Sequence, residues 1–334
     1  MIQTLTIKGF KNINEEILRL KPLTILTGLN STGKSSLFQA ILLLNKETTR
    51  NGSRHLDNII SSFDSLRNIY QNTKQISLRL ETEEKAVEYH LTVDGYSAPE
   101  DCAGLEFEKN LYYLSANRIG PENDAAISQD IFCGTDGRFL FGTYEKEKSV
   151  RLKEQLIKDT KSLTLAAQVN YWMGYILNMR MELNTEKRTA QKVEVNYKSD
   201  GIPGLLPSQL GAGVSYLAKI LILCLRTKPG DVILIENPEI HLHPAAQARL
   251  GEFFTFIVQA GVQLIIETHC EHLINKLRYE VYKRKFNPEE IVLYYKAGIT
   301  KPFLKITIDK KGQFSSEFPE GFFDATLAEL LELG

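Results

Sequence analysis

The chain has 334 residues, of which 43% are hydrophobic and 24% charged, with a formal net charge of −1. This composition fits a globular protein with room for one large domain or two ordinary ones, and it excludes a disordered chain or a globally basic nucleic-acid binder. No apolar run approaches a membrane span, Lys8 and Lys11 interrupt any secretory pattern, and Cys102, Cys133, Cys224 and Cys270 form neither a C-x-x-C pair nor a disulfide framework. A cytoplasmic protein with no membrane partner is expected.

From the N-terminus, Ile2, Leu5 and Ile7 alternate with polar residues, and Ile17-Leu18-Arg19-Leu20 forms a second run. With a turn between Gly9 and Asn14 they predict an antiparallel pair. Leu23 to Thr27 is a short buried-strand pattern, and Ser36 to Leu44 an apolar helix. Residues 46–74 are polar and predict loop and short helix. Ile76 to Leu80 and Val87 to Val93 alternate again, as a hairpin with one solvated face. Leu111 to Leu114 is a further strand, running into Ser115-Ala116-Asn117-Arg118-Ile119-Gly120-Pro121. From about Glu145 to Glu186 the pattern turns helical and charge-rich, with no persistent heptad. Val193 to Tyr197 predicts a strand and Val214 to Arg226 a helix. Val232 to Ile235 and Val262 to Ile266 are β-branched runs typical of buried parallel strands, with helices predicted over 245–260 and 271–285. Strands alternating with helices indicate an α/β sheet with parallel members.

The chemistry concentrates at strand ends. Gly28-Leu29-Asn30-Ser31-Thr32-Gly33-Lys34-Ser35 fits G-x-x-x-x-G-K-[ST] between a strand and a helix. There the glycines let backbone N–H groups turn around a phosphate, and the following helix adds partial positive charge. Lys34 is expected on the β- and γ-phosphates and Ser35 on Mg²⁺, with Asn30, Ser31, Thr32 and Ser36 lining the loop. Downstream, the Val232 strand ends in Glu236-Asn237-Pro238-Glu239, and the Val262 strand ends in Glu267-Thr268-His269. Carboxylates at the C-terminal edge of such strands lie where ligands bind in open α/β sheets. Leu210-Gly211-Ala212-Gly213-Val214-Ser215 is a second glycine loop opening onto a helix, hence a second potential phosphate binder.

The order of these segments, with His241-Leu242-His243-Pro244 between the last two, resembles an ABC-type ATPase head of the branch that includes the SMC proteins and the OLD-like ATPases of phage-defence systems. The opening Ile7 to Asn12 and Leu23 to Asn30 resemble that branch too, as does a C-terminal module from Gly312 to Asp324. The resemblance is strong over about 1–44 and 205–325. It implies a P-loop α/β fold: a mixed sheet, antiparallel N-terminal strands and a helical insertion. The whole 334-residue chain would be one domain, with a phosphate-loop lobe (1–118), a mostly helical insertion (119–200), a signature and Walker B lobe (201–312) and a tail module (313–334).

Carried over by residue, the resemblance makes Gly211 and Gly213 a signature loop that closes on the γ-phosphate of a second copy. Glu236 becomes the Walker B acid and a Mg²⁺ ligand, 241–244 a dimer-contact loop and His269 a switch histidine. It implies ATP and Mg²⁺, a homodimer closed through head-to-tail ATP sites, and a separate effector protein. Two positions depart from the pattern. Gly211 replaces the usual signature serine, leaving Ser215 or the backbone to serve, and Asn237 replaces the usual catalytic glutamate, leaving Glu239 to orient water.

Other readings stay open. The His241/His243 pair could bind Zn²⁺, and Cys270 beside His269 could form a nucleophile pair. An ATP-regulated nuclease component is an alternative, but Glu289, Glu290 and Asp309, which follow His269 before the acidic tail, form no D-x-D cluster. A transporter ATPase fits poorly with the N-terminal hairpin and the Glu-Thr-His ending. A DNA-binding recombination or repair ATPase rests on residues 276–311. There Lys276, Arg278, Lys283, Arg284, Lys285, Lys296, Lys301, Lys305, Lys310 and Lys311 face four acids, a clustering suited to DNA or RNA backbone.

Overall fold

The computed structural model describes residues 1–48, 62–97 and 103–318. The tail beyond Phe318, and with it most of the expected C-terminal module, lies outside the described residues, as do positions 49–61 of the expected loop. The chain forms two compact units: Met1–Phe107 with Glu267–Gly334, and Glu108–Ile266. These are not the lobes expected from the sequence, which broke at 118, 200 and 312. The first unit is discontinuous because its central strand pairs with a strand from far along the chain.

In the first unit, β1 (Ile2–Phe10) and β2 (Ile13–Arg19) form the expected hairpin, with Leu5 opposite Leu18. β1 also pairs antiparallel with β4 (Gln75–Thr82), which continues into β5 (Ala86–Thr92) and β6 (Gly95–Ser97). Leu5, Ile7, Ile76, Leu78 and Leu80 are buried, so this sheet keeps one apolar face, as its period-two pattern requires. β3 (Leu23–Gly28) is buried along its whole length, and β14 (Ile291–Lys296) lies parallel to it, pairing Leu23 with Ile291 and Gly28 with Lys296. β15 (Phe303–Ile306) returns antiparallel to β14. α1 (Lys34–Thr48) starts six residues after β3 and buries Leu37, Phe38 and Ile41 to Leu44. It therefore extends three residues into the expected loop. α6 (Glu271–Tyr282) completes this unit.

In the second unit, β12 (Val232–Glu236) runs parallel to β7 (Leu111–Leu114), with β13 (Gln263–Glu267) as its other neighbour. The insertion is not mostly helical, which corrects the expectation for 119–200. It holds two helices, α2 (Leu140–Glu147) and α3 (Leu165–Leu177), but also strands β8 (Asp124–Ala126), β9 (Met181–Lys187) and β10 (Lys192–Ser199), with β11 (Ile202–Leu205) beyond. Met181, Leu183 and Thr185 point inward while Glu182, Asn184 and Glu186 face out. Strict alternation thus marks a strand in a stretch whose charge suggested a helix. α3 stops at Asn178, whose left-handed φ of 58° closes the helix, and its Trp172 packs on Phe253 with centroids 5.0 Å apart. α4 (Ala212–Arg226) and α5 (Pro244–Gln259) complete the unit.

Candidate nucleotide site

The phosphate loop lies wholly within the first unit. Gly28 ends β3 at φ 127°, and a Cβ there would stand 2.3 Å from the Lys296 carbonyl oxygen. Only glycine allows β14 to come this close. Ser31 (φ 59°) and Gly33 (φ 102°) turn the loop through left-handed conformations, and Asn30 and Ser31 stand exposed at its top. Thr32 is buried and donates to the Leu29 carbonyl at 2.8 Å.

The Lys34 ammonium donates to the carbonyls of Leu29 (2.6 Å) and Gly28 (3.2 Å) and lies 3.9 Å from the Glu267 carboxylate. Burial lowers its pKa, and Glu267 pulls the other way. Ser35 Oγ donates to the same carboxylate at 2.7 Å. A hydroxyl and a carboxylate side by side are the hard oxygen donors that Mg²⁺ takes, so these residues suit that ion.

Residues outside the motif finish the pocket, a cavity of about 340 Å³ whose walls include Lys11, Asn12, Gln39 and Glu267. Asn12, in the β1–β2 turn, donates to the Thr32 carbonyl, and Lys11 donates to Gln39. A Cβ on Gly33 would collide with the Asn12 side chain at 2.0 Å, so the hairpin turn and the loop are built against each other. Thr268 N donates to the Leu26 carbonyl at 2.9 Å, fixing the Glu267-Thr268-His269 stretch to β3. The His269 ring is solvent-exposed, yet partial desolvation, and then the Lys34 ammonium, holds its pKa below the usual histidine value.

In the second unit, the Glu236 carboxylate accepts from Tyr113 Oη (3.0 Å) and from the Ala116 N–H (2.9 Å). The next residue, Asn237, adopts φ 41° and starts a turn closed by Ile240 N on its carbonyl (3.3 Å). Arg118 donates to the backbone carbonyls of Glu236 and Asn237, the latter at 2.9 Å, and Glu239 is the acid acting most strongly on it. The second glycine loop and the His241–Pro244 loop share a cavity of about 360 Å³. Gly211 caps α4 without a side chain and has open space where a Cβ would stand.

A family model described as "AAA ATPase domain" matches residues 1–206. The chain belongs to that family. This ATPase also matches, over residues 139–275, a model described as "AAA domain, putative AbiEii toxin, Type IV TA system". No curated protein matches it. Among solved structures it is similar to an SMC head bound to the C-terminal winged-helix domain of ScpA, at 13% identity and TM-score 0.56, over 92% of this chain and 98% of that one. It is also similar to the Pyrococcus furiosus SMC head with an extended coiled coil bound to the C-terminal domain of ScpA. That match has 12% identity and TM-score 0.55 and covers 99% of each chain. At these identities the likeness speaks for the fold, an α/β head of the ABC type. ATPases of this family use ATP with Mg²⁺.

Several sequence expectations for this ATPase change at the level of side chains. Ser215 is not available to a phosphate: it is 1% exposed, on the inner face of α4, with the Tyr197 hydroxyl 3.5 Å from its own. Gly213 is also buried, where a Cβ would meet the His241 carbonyl at 2.4 Å, so its role in the fold is close approach. The acid that Ser35 touches is Glu267, not among the residues expected at the metal. His243 caps α5 through Nδ1, His241 stacks on Tyr216 at 5.5 Å, and Cys270 caps α6 through Sγ. Among the described residues no three His, Cys, Asp or Glu side chains group to hold a metal. Arg118 follows the β7 strand in a segment whose spacing carries no signal for its contact with the Glu236–Asn237 turn.

The basic stretch is partly consumed by packing. Lys296 is 2% exposed, 3.5 Å from Glu16 and over the Phe303 ring. Arg278 lies over Phe314, and Lys276 pairs with Glu280. Lys283, Arg284 and Lys285 stand exposed at the end of α6. Among the described residues no helix is long and apolar enough to cross a membrane.

Proposed function

We propose that this ATPase is a nucleotide-gated switch in which two copies close head to tail on two ATP molecules and the closed form controls a separate effector protein. Gly28 to Ser36 would hold the phosphates, with Lys34 on the β- and γ-phosphates and Ser35 and Glu267 presenting oxygens to Mg²⁺. Glu236, Asn237, Glu239 and His269 are assigned to hydrolysis. An amide cannot act as a base at neutral pH, so Asn237 favours slow turnover and a long-lived ATP-bound dimer.

The observation that carries the reading is the bare start of α4. Gly211 is exposed and offers no capping side chain, so a 15-residue helix starts without a side-chain cap beside the cavity that Gly211, Gly213, His241 and His243 line. Unsatisfied N–H groups and the helix dipole favour an anion there, and a partner's γ-phosphate is the anion assigned. The match over 139–275 to a toxin-system AAA domain supports a role in anti-phage defence, with the effector on another chain. Solved SMC heads carry a separate ScpA chain, which is a parallel for such an effector. The second reading, a DNA- or RNA-binding recombination or repair ATPase, is favoured by the exposed Lys283-Arg284-Lys285 row.

The test uses Gly211→Glu. The backbone there (φ −60°, ψ 137°) accepts any residue, and an acid at a helix N-terminus does not harm the helix. The carboxylate would repel a phosphate. Wild type should dimerise by light scattering with ATP and Mg²⁺, whereas the variant should bind ATP normally by calorimetry and stay monomeric. A variant that dimerises like wild type would sink the head-to-tail arrangement.

A further inference from the structure

The end of α6 gathers side chains that the phosphate cavity does not use, all within the first unit. Tyr279 and Tyr282 are 48% and 58% exposed, with ring centroids 6.4 Å apart and planes tilted by 39°. The ammonium groups of Lys276 and Lys283 lie 5.3 and 5.8 Å from the Tyr279 centroid. Lys283, Arg284 and Lys285 follow directly and are exposed.

The fold sets a second basic segment beside the first. The turn from Asp309 to Gly312, closed by Gly312 N on the Asp309 carbonyl (2.9 Å), is clipped to α6 because Arg278 Nε donates to the Gly312 carbonyl at 2.9 Å. A Cβ on Gly312 would stand 3.2 Å from Cβ of Tyr282, so the turn abuts the stem of the second ring. Lys310 and Lys311 stand exposed on it. Glu280 is 2% exposed and pairs with Lys276, and Asp309 accepts from the Lys311 and Gln313 N–H groups at 2.8 Å each. Both carboxylates are thus engaged within their own segments. Arg284 sits past the helix end at φ 59°, a left-handed backbone where glycine is usual. An arginine there costs the fold stability, which points to a use for its side chain.

We propose that this face binds single-stranded nucleic acid, with bases stacked on Tyr279 and Tyr282 and the sugar–phosphate chain running along Lys283, Arg284 and the Lys310–Lys311 turn. The inference rests on the second reading, that of a nucleic-acid-binding ATPase, and adds the strand form and the residues that hold it. The cations suit phosphates, and the open rings suit the flat faces of bases. A duplex keeps those faces stacked about 3.4 Å apart inside its helix, out of reach of rings on a protein surface. An unpaired strand can splay two bases onto two separated rings. An acidic peptide would match the charge but bring no flat partner for either ring.

The experiment uses the full chain and fluorescence anisotropy with three labelled probes: an oligothymidine of about 16 nucleotides, an oligouridine and a DNA duplex of the same length. At about 50 mM salt, wild type should bind a single strand more tightly than the duplex. Tyr279→Ala and Tyr282→Ala should each weaken that complex on the order of tenfold and leave its salt slope unchanged, as the loss of one stacked base requires. Phenylalanine at either position should retain binding. Lys283→Ala should lower the salt slope by about one. Arg284→Gly should also weaken binding, with a thermal midpoint at or above that of wild type, because glycine relieves the left-handed backbone. The tighter of the thymidine and uridine strands names the source as DNA or RNA, and either supports the inference. A duplex bound as tightly as the single strands, or alanine variants that bind like wild type, would overturn the inference and leave the second reading standing. No binding of any probe by wild type would overturn both and leave this face to a protein partner.

Discussion

The Ser35 hydroxyl donates to the Glu267 carboxylate at 2.7 Å, joining residues 232 positions apart. Lys34 sits 3.9 Å from the same carboxylate, so Glu267 is counter-charge to the lysine and oxygen neighbour to the hydroxyl. Replacing it with Gln keeps the shape and an acceptor for Ser35 but removes the charge. Glu267→Gln should raise the Mg²⁺ concentration needed for half-maximal ATPase activity by about tenfold, in line with the loss of a metal-site partner. A magnesium titration at saturating ATP measures this, and an unchanged midpoint would remove Glu267 from the site.

Lys34→Ala should weaken ATP binding by on the order of a hundredfold, the worth of charge-assisted hydrogen bonds to phosphate. Among the described residues the ammonium serves loop carbonyls and Glu267, so the fold should persist. Calorimetry reads the affinity and circular dichroism the fold. Equal affinity in mutant and wild type would refute the phosphate-loop assignment.

The depressed pKa of His269 has a definite sign. The folded state favours the neutral ring, so its contribution to stability is present above the ordinary value of 6.5 and is lost as pH falls through the lowered one. A phosphate brought beside the ring should reverse the shift and draw in a proton. ATP binding near pH 6 should then take up protons, seen as binding heats that differ between buffers of different ionisation enthalpy. His269→Gln should abolish that difference; if the variant keeps it, another group is titrating.

Gly28→Ala tests how tightly the loop is seated. A methyl group at φ 127° and 2.3 Å from the Lys296 carbonyl must strain the backbone or part β3 from β14. The variant should lose about 1–3 kcal/mol of stability by urea unfolding, the usual scale of such strain. An unmoved midpoint would show that the strand pair yields easily at this point.

Information carried by adjacent residues was readable from the chain alone. The spacing of Gly28, Gly33, Lys34 and Ser35 names the phosphate loop because left-handed turns and a helix start must follow one another along the backbone. The runs Leu23 to Thr27 and Val232 to Ile235 name buried strands because burial on both faces leaves no room for polar alternation. Only the tertiary structure decided which distant side chains complete the site. Asn12 reaches Thr32, Glu267 reaches Ser35 and Arg118 grips Asn237 across 119 residues, through strand pairing that no local pattern states. It also decided which promising residues are absent from the surface. Ser215 turned inward because it sits on the buried face of α4, and Lys296 left the basic row because β14 carries it to Glu16. Propensity and periodicity act over a few neighbours, whereas burial and charge pairing are settled by whatever the fold brings alongside.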